Sequence, residues 1–191
     1  MSVRLKDITK RFGKKTVIKN FNLNLEKGTR MALVAPSGSG KTTLFRIIAG
    51  LEKKFDGSRT VEGKIALMFQ EDRLFPHSTV LENVTAVSDR AVDEAISLLY
   101  DLGLKGSENA FPGELSGGMK RRVALARALF YDGDILLLDE CFTGLDAETK
   151  KSVADVINRE TVGKTLLIIT HDIHEAELLN CEVLSCEDFI R

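Results

Sequence analysis

Four unbroken apolar runs limit how this chain can fold: Met31-Ala32-Leu33-Val34-Ala35, Ile65-Ala66-Leu67-Met68-Phe69, Ile135-Leu136-Leu137-Leu138 and Leu166-Leu167-Ile168-Ile169. Apolar runs without alternation suit strands covered on both faces, as in a parallel sheet. Helical spacing is expected over residues 41–49, 80–84, 91–102, 116–131 and 147–158. Strands interleaved with helices in this way predict an α/β domain with a mostly parallel central sheet. Before the first run, Val3-Arg4-Leu5-Lys6-Asp7-Ile8 and Phe21-Asn22-Leu23-Asn24-Leu25 alternate apolar and polar residues. They predict a separate antiparallel β layer with one solvated face, closed by a turn at Lys27-Gly28. Ligands of open α/β sheets bind beyond the carboxyl ends of the strands, so the polar residues after each run are the first candidates.

The bulk properties narrow the function classes. A length of 191 residues fits one domain. The formal net charge of −1 argues against a dedicated nucleic-acid partner, which would select a basic surface. No apolar run approaches the ~18 residues that cross a bilayer, and the Arg- and Lys-studded N-terminal stretch has no apolar centre of the kind a secretory signal needs. The three cysteines, Cys141, Cys181 and Cys186, are too few for a disulfide framework and read as free thiols in a reducing compartment.

The first run leads into Ala35-Pro36-Ser37-Gly38-Ser39-Gly40-Lys41-Thr42-Thr43, and a helical segment follows. This is a phosphate-binding loop in its required strand–loop–helix context. Gly38 and Gly40 let the backbone curl so that successive N–H groups point at phosphate oxygens, and the helix adds its positive end. In that arrangement Lys41 reaches the β- and γ-phosphates, Thr42 offers its hydroxyl to Mg²⁺ and Thr43 touches the α-phosphate. The third run ends in Asp139-Glu140. Two acids at a strand tip beside a phosphate loop suit a metal and a water: Asp139 toward Mg²⁺ and Glu140 toward an attacking water. An acid after a strand can also simply cap a helix, a reading that competes for Asp139 taken alone. Leu115-Ser116-Gly117-Gly118-Met119 opens another helix, either as a second anion-binding N-terminus or as a plain cap with flexible glycines. A single nucleotide has no need of two such sites in one chain, which hints at a dimer that shares them.

Taken in order, these motifs resemble the nucleotide-binding subunits of the ATP-binding cassette (ABC) family along nearly the whole chain. The resemblance makes residues 35–43 the Walker A loop, with Ser37, Gly38, Ser39, Gly40, Lys41, Thr42 and Thr43 around the phosphates. It makes Phe12 the aromatic that stacks on adenine, Gln70 the Q-loop glutamine near the metal and the reacting phosphate, and Ser116, Gly117 and Gly118 the signature motif. Asp139 and Glu140 become Walker B and the catalytic glutamate, Gly144-Leu145-Asp146 the D-loop and His171 the switch histidine. Phe69-Gln70-Glu71-Asp72-Arg73-Leu74 with Pro76, Thr79-Val80-Leu81-Glu82-Asn83-Val84 and Met119 resemble the ATPases of bacterial nitrate, sulfonate and taurine importers.

The resemblance implies a P-loop NTPase fold forming one cassette over residues 1–191, with an N-terminal antiparallel β subdomain and a small helical subdomain near residues 71–130. Two chains would close head to tail on ATP and Mg²⁺, with catalytic work by Glu140, His171, Gln70 and Lys41, and with Thr42, Gln70 and Asp139 around the metal. The partners implied are a separate permease docking near Gln70, a solute-binding protein reached through that permease, and no nucleic acid. The implied location is cytoplasmic, on the inner face of the cell membrane. A cassette ATPase outside transport, or a dimerising ATP-bound switch that barely hydrolyses, would carry many of the same motifs.

Four departures from the family pattern stand out. Ala35 holds the place of the first Walker A glycine, and Cys141 that of a proline. Only 29 positions separate Lys41 from Gln70, so Asp56-Gly57-Ser58-Arg59-Thr60 reads as a trimmed hairpin, and the chain stops soon after His171. Among the remaining residues, Lys120-Arg121-Arg122 reads as a solvated helix face and His77 as an exposed loop residue. His171, His174 and Glu175 carry only a weak suggestion of a metal site, since no third anchor accompanies them.

Overall fold

The four apolar runs become four of the five strands of one parallel sheet in a computed structural model that describes residues 2–34 and 39–185. The strands are β3 (Arg30–Val34), β5 (Ile65–Met68), β6 (Ile135–Asp139), β7 (Thr165–Thr170) and β8 (Glu182–Ser185), in the spatial order β5-β6-β7-β3-β8. Their side chains alternate between two cores, as the two-residue period of a strand demands. Leu136, Leu138, Leu166 and Ile168 enter one core; Ile135, Leu137, Leu167 and Ile169 enter the other. Double coverage explains why these stretches show no alternation in sequence.

One core lies beneath the expected antiparallel layer. β1 (Ser2–Phe12) pairs with β2 (Lys15–Leu25) and, on its other edge, with β4 (Asp56–Glu62). Val3, Leu5, Ile8, Ile18, Phe21 and Leu25 from this layer pack with Leu44, Phe45, Ile47 and Ile48 of α1 (Lys41–Ile48). The segment expected as a trimmed hairpin is thus a single strand at the sheet edge. It is largely exposed, so its polar residues carry no buried stripe for a pattern search to detect.

The other core joins the opposite face of the parallel sheet to five helices: α2 (Val80–Thr85), α3 (Val92–Asp101), α4 (Gly117–Phe130), α5 (Ala147–Glu160) and α6 (Ile173–Leu178). Residues of α2 and α3 belong to the same apolar cluster as those of α4 and the sheet, through Val80, Val84, Leu98 and Leu99 against Val123, Ala126 and Phe130. Four helices start on side-chain caps, α6 among them through Asp172, which accepts from the His174 N–H. Thr79 forms a reciprocal capping box with Glu82, Ser116 accepts from the Met119 N–H, and Asp146 accepts from the Thr149 N–H. Cys141 is fully buried in this core, and burial pushes its thiol far up, which keeps it protonated and unreactive. Burial also pushes the Cys181 thiol up, to about 11. Cys186 lies outside the described residues. Among the described residues, no helix is long and apolar enough to cross a membrane.

Candidate functional site

Beyond the carboxyl ends of β3, β5 and β6 lies a cleft of about 240 Å³ lined by Phe12, Val17, Ser39, Gly40, Lys41, Thr42, Thr43, Gln70, Asp139 and Glu140. The position follows from topology, because every strand tip in a parallel sheet points the same way. Ala35, Pro36, Ser37 and Gly38 fall outside the described residues, so the loop is visible here from Ser39 onward.

Unlike α2, α4, α5 and α6, helix α1 begins without a side-chain cap, and its first turn carries no acid. Its N-cap is Gly40, at φ 94, and a Cβ there would stand 2.9 Å from both the Val17 carbonyl oxygen and its Cγ1. Only glycine fits that turn without strain. The N-terminus of α1, with no side-chain cap of its own, therefore turns its N–H groups and the positive end of the helix dipole toward the cleft. Lys41 is buried there, and the Ser39 hydroxyl is buried with no hydrogen-bond partner. A buried cation beside a glycine-capped helix end and an unpartnered hydroxyl is an arrangement suited to a polyanion such as a triphosphate.

Opposite this helix end stand the two acids of β6. The Thr42 hydroxyl donates to Asp139 Oδ2 at 3.0 Å, across 97 positions of sequence. Asp139 Oδ1 is buried without a partner. Burial raises the Asp139 carboxyl above its usual range; the Thr42 hydrogen bond opposes that rise, and the adjacent Glu140 charge adds to it. An orphaned carboxylate oxygen at the back of a polar cleft, next to a hydroxyl, fits a small divalent cation with oxygen ligands. A bound cation would also offset the desolvation of that carboxylate.

Glu140 sits at φ 54, a left-handed conformation that costs a non-glycine residue roughly 1–2 kcal/mol. It persists because the surroundings hold both ends of the peptide. Its N–H donates to the Ile169 carbonyl at 3.0 Å, and its own carbonyl accepts from Arg121. The carboxylate of Glu140 accepts from His171 Nδ1 at 2.9 Å and from the Thr143 hydroxyl at 3.2 Å. Strain of this kind at a cleft residue points to function.

The turn that carries His171 is anchored from below. The Thr170 hydroxyl donates to Glu175, whose buried carboxylate is also met by Lys150 Nζ at 2.6 Å. The hydrogen bond to Glu175 raises the Lys150 ammonium above its ordinary value, so the pair favours the fold while lysine is charged. That contribution is complete below the unfolded lysine value of about 10.4 and fades as pH rises through the higher folded value. Lys150→Met, which strands the Glu175 charge, is expected to lower the urea midpoint clearly at pH 7, and the gap to wild type should narrow above about pH 10.

Several expected residues lie elsewhere. Ser116 and Gly117 are exposed and do not line the cleft of their own chain. Within one chain, Ser116 acts as the plain cap of α4, with an oxygen accepting from Met119 N at 3.2 Å. Gly118 lies against the D-loop, where a Cβ would stand 3.3 Å from the Gly144 carbonyl oxygen. Phe12 is 52 % exposed, which rules out a core role; Lys10 Nζ lies 4.5 Å from its ring centroid. His174 faces outward and pairs with Glu177 at 3.0 Å, while Glu175 turns inward, so the two do not converge on one point. His77 is exposed.

The expectation of a solvated basic face at residues 120–122 is wrong for Arg121, which is 4 % exposed. The signal was present in the sequence. Arg121 shares the i, i+4, i+8 stripe with Leu125 and Leu129, both buried.

Comparison with known proteins agrees with this geometry. The family model described as "ABC transporter" matches residues 18–143. "Aliphatic sulfonates import ATP-binding protein SsuB 1" of Rhodococcus jostii (strain RHA1) is 44% identical over 186 residues, covering 93% of this chain and 76% of the relative. The "Aliphatic sulfonates import ATP-binding protein SsuB" of Bacillus subtilis (strain 168) is 40% identical over 200 residues, covering 96% and 77%. Among solved structures, the dimeric post-hydrolysis state of the ATP-binding cassette MJ0796 bound to ADP and Pi superposes with a TM-score of 0.86 at 31% identity, covering 96% of this chain and 93% of that one. A second dimeric structure of MJ0796, a bacterial ABC transporter cassette, gives a TM-score of 0.87 at 30% identity, covering 99% and 97%. With the family match running from the antiparallel layer past Glu140, and relatives alike along nearly its full length, this chain belongs to the ABC transporter family.

Proposed function

We propose that this chain is the ATP-binding and ATP-hydrolysing subunit of an importer of the nitrate, sulfonate and taurine type, built as one cassette with a helical subdomain near residues 71–130. The observation that carries the reading is the split site. A bare, glycine-capped helix end and two carboxylates face one cleft, while the exposed Ser116 helix end lies outside it. A second copy, packed head to tail, supplies the missing wall. The dimeric cassettes among its structural neighbours support that pairing.

In this reading Phe12 stacks on adenine. Lys41, the α1 N–H groups, Ser39, Gly40 and Thr43, with Ser37 and Gly38 from the undescribed part of the loop, hold the phosphates. Thr42 and Asp139 would hold Mg²⁺, with Gln70 at the rim of the cleft. When bound, Mg²⁺ neutralises charge on the β- and γ-phosphates. Glu140 orients the attacking water and takes its proton, and His171 holds the Glu140 carboxylate in place through Nδ1. Ser116, Gly117 and Gly118 of the opposing chain close on the γ-phosphate, so closure depends on ATP and release follows hydrolysis. Opening and closing would drive a separate permease seated near Gln70, with a solute-binding protein acting through that permease. The chain would then work at the cytoplasmic face of the membrane. The names of the relatives, import ATP-binding proteins for aliphatic sulfonates, support transport over other cassette ATPases.

Steady-state ATP hydrolysis across a range of protein concentrations tests the proposal. Turnover per chain is expected to rise with concentration, because each site needs two chains. Constant turnover per chain down to concentrations where the protein is monomeric would refute the shared site. ATP binding without turnover, alone and with a permease, would favour the switch over the motor.

A further inference from the structure

We propose that Arg121 is the positioning residue that sets Glu140 and Gln70 relative to one another. The inference rests on the reading of Glu140 as the residue that handles the attacking water. Arg121 projects from the first turns of α4 and lies buried between the tips of two strands. Its Nε and Nη2 donate to the Glu140 carbonyl at 3.1 and 2.6 Å, and Nη2 also donates to the Asp139 carbonyl at 2.8 Å. Nη1 donates to the carbonyls of Gln70 and Phe69, the latter at 3.2 Å, and to Asp72 Oδ1 at 3.0 Å.

These contacts use the whole guanidinium fork. Its five N–H groups lie in one plane, so carbonyls that share them are held in a fixed mutual geometry. Four of the acceptors are backbone oxygens, at residues 69, 70, 139 and 140. A backbone hold fixes where the side chains start while leaving their ends free for substrate. The Glu140 peptide needs such a hold, because its φ of 54 is a conformation a glutamate leaves unless both ends are fastened. Ile169 fastens the N–H, and Arg121 fastens the carbonyl. Asp72, partly open to solvent, supplies the counter-charge that keeps the guanidinium seated.

The consequence is selective. Arg121 does not itself line the cleft, and it holds Gln70, Asp139 and Glu140 by their backbone oxygens, away from the α1 wall that carries Lys41 and Thr43, so weakening its hold should impair the chemical step and spare ATP capture. Lysine at this position keeps the charge, but one ammonium cannot span both strand tips.

The test uses the full chain and compares Arg121→Lys, Arg121→Gln, Asp72→Asn and Glu140→Gln. Measured are kcat and KM for ATP, affinity for a fluorescent ATP analogue and thermal midpoint. The ATP-dependent dimer is measured with Arg121→Lys placed in the Glu140→Gln background. For Arg121→Lys, kcat is expected to fall about tenfold or more with analogue affinity within about threefold of wild type, as misplacement of a reacting group predicts. Arg121→Gln should fall further, so that lysine is a partial rescue. Asp72→Asn, at a part-exposed site that tolerates exchange, should show a smaller loss of the same kind. The dimer of the double variant should form as in Glu140→Gln alone.

An unchanged kcat in Arg121→Lys, or parallel losses of kcat, analogue affinity and dimer, would overturn the proposal in favour of a purely structural arginine. If the Arg121 variants do not fold, Asp72→Asn decides, and an unchanged kcat there overturns it. A Glu140→Gln chain that still turns over refutes the reading of Glu140 itself, whereas an inactive one beside a fully active Arg121→Lys refutes only the role of Arg121.

Discussion

Glu140→Gln is expected to lower steady-state ATP turnover by about 10²–10⁴-fold, the range for removal of a positioned general base. ATP binding should survive, because the groups that meet the phosphates belong to α1 and its loop, on the other wall of the cleft. The amide keeps the shape of the carboxylate and can still accept from His171, which approaches Glu140 Oε2 at 2.9 Å. It cannot accept the proton of an attacking water. ATP should therefore persist between two chains, and the variant should run as a dimer in size-exclusion chromatography with ATP and as a monomer with ADP. Turnover within about threefold of wild type, well short of the general-base range, would remove Glu140 from the chemistry.

The second large effect is complementation between two inactive chains. Lys41→Ala removes the buried cation at the mouth of α1, and Ser116→Glu places a negative charge where a partner's γ-phosphate would lie. Each homodimer should hydrolyse ATP at less than about a hundredth of the wild-type rate, as expected when transition-state charge contacts are lost. A mixed dimer contains one site broken twice and one site with every group intact. Random pairing makes half the dimers mixed, each with one good site of two, so an equal mixture should recover about a quarter of wild-type activity. Size-exclusion runs with differently tagged chains would establish that mixed dimers form. Their formation without recovered activity would show that the two motifs do not meet across an interface.

Much of this arrangement could be read from the chain. The apolar runs announced doubly covered strands, and Gln70, Asp139, Glu140 and His171 each lie within two residues of the end of one of them. The order of motifs singled out Lys41, Gln70, Asp139, Glu140 and His171, and the fold brings the first four to one cleft with His171 bonded to Glu140. What stayed hidden depended on partners far away in sequence. The Thr42–Asp139 bond and the Glu140–His171 bond join different strand tips, and no local pattern encodes which tips become neighbours. β4 stayed hidden because it is an exposed edge strand that contains Gly57 and has no apolar alternation. α6 is only six residues long, too short to show a period. Arg121 was misread for a different reason. Three successive basic residues resemble a wet surface, yet a helix turns them to different faces, and only the middle one shares the stripe of Leu125 and Leu129.

The sheet order has a consequence for how the chain is made. β3, the strand leading into the phosphate loop, is flanked by β7 on one side and β8 on the other. Its partners begin at Thr165 and Glu182, far downstream of Arg30. A chain emerging from the ribosome can close the β1–β2 hairpin early, because those strands adjoin in sequence. The strand before the loop has no sheet neighbour on either side until Thr165–Thr170 has been synthesised. The nucleotide site should therefore order only after β7 has been made, and nascent chains that end before Thr165 should hold no ATP.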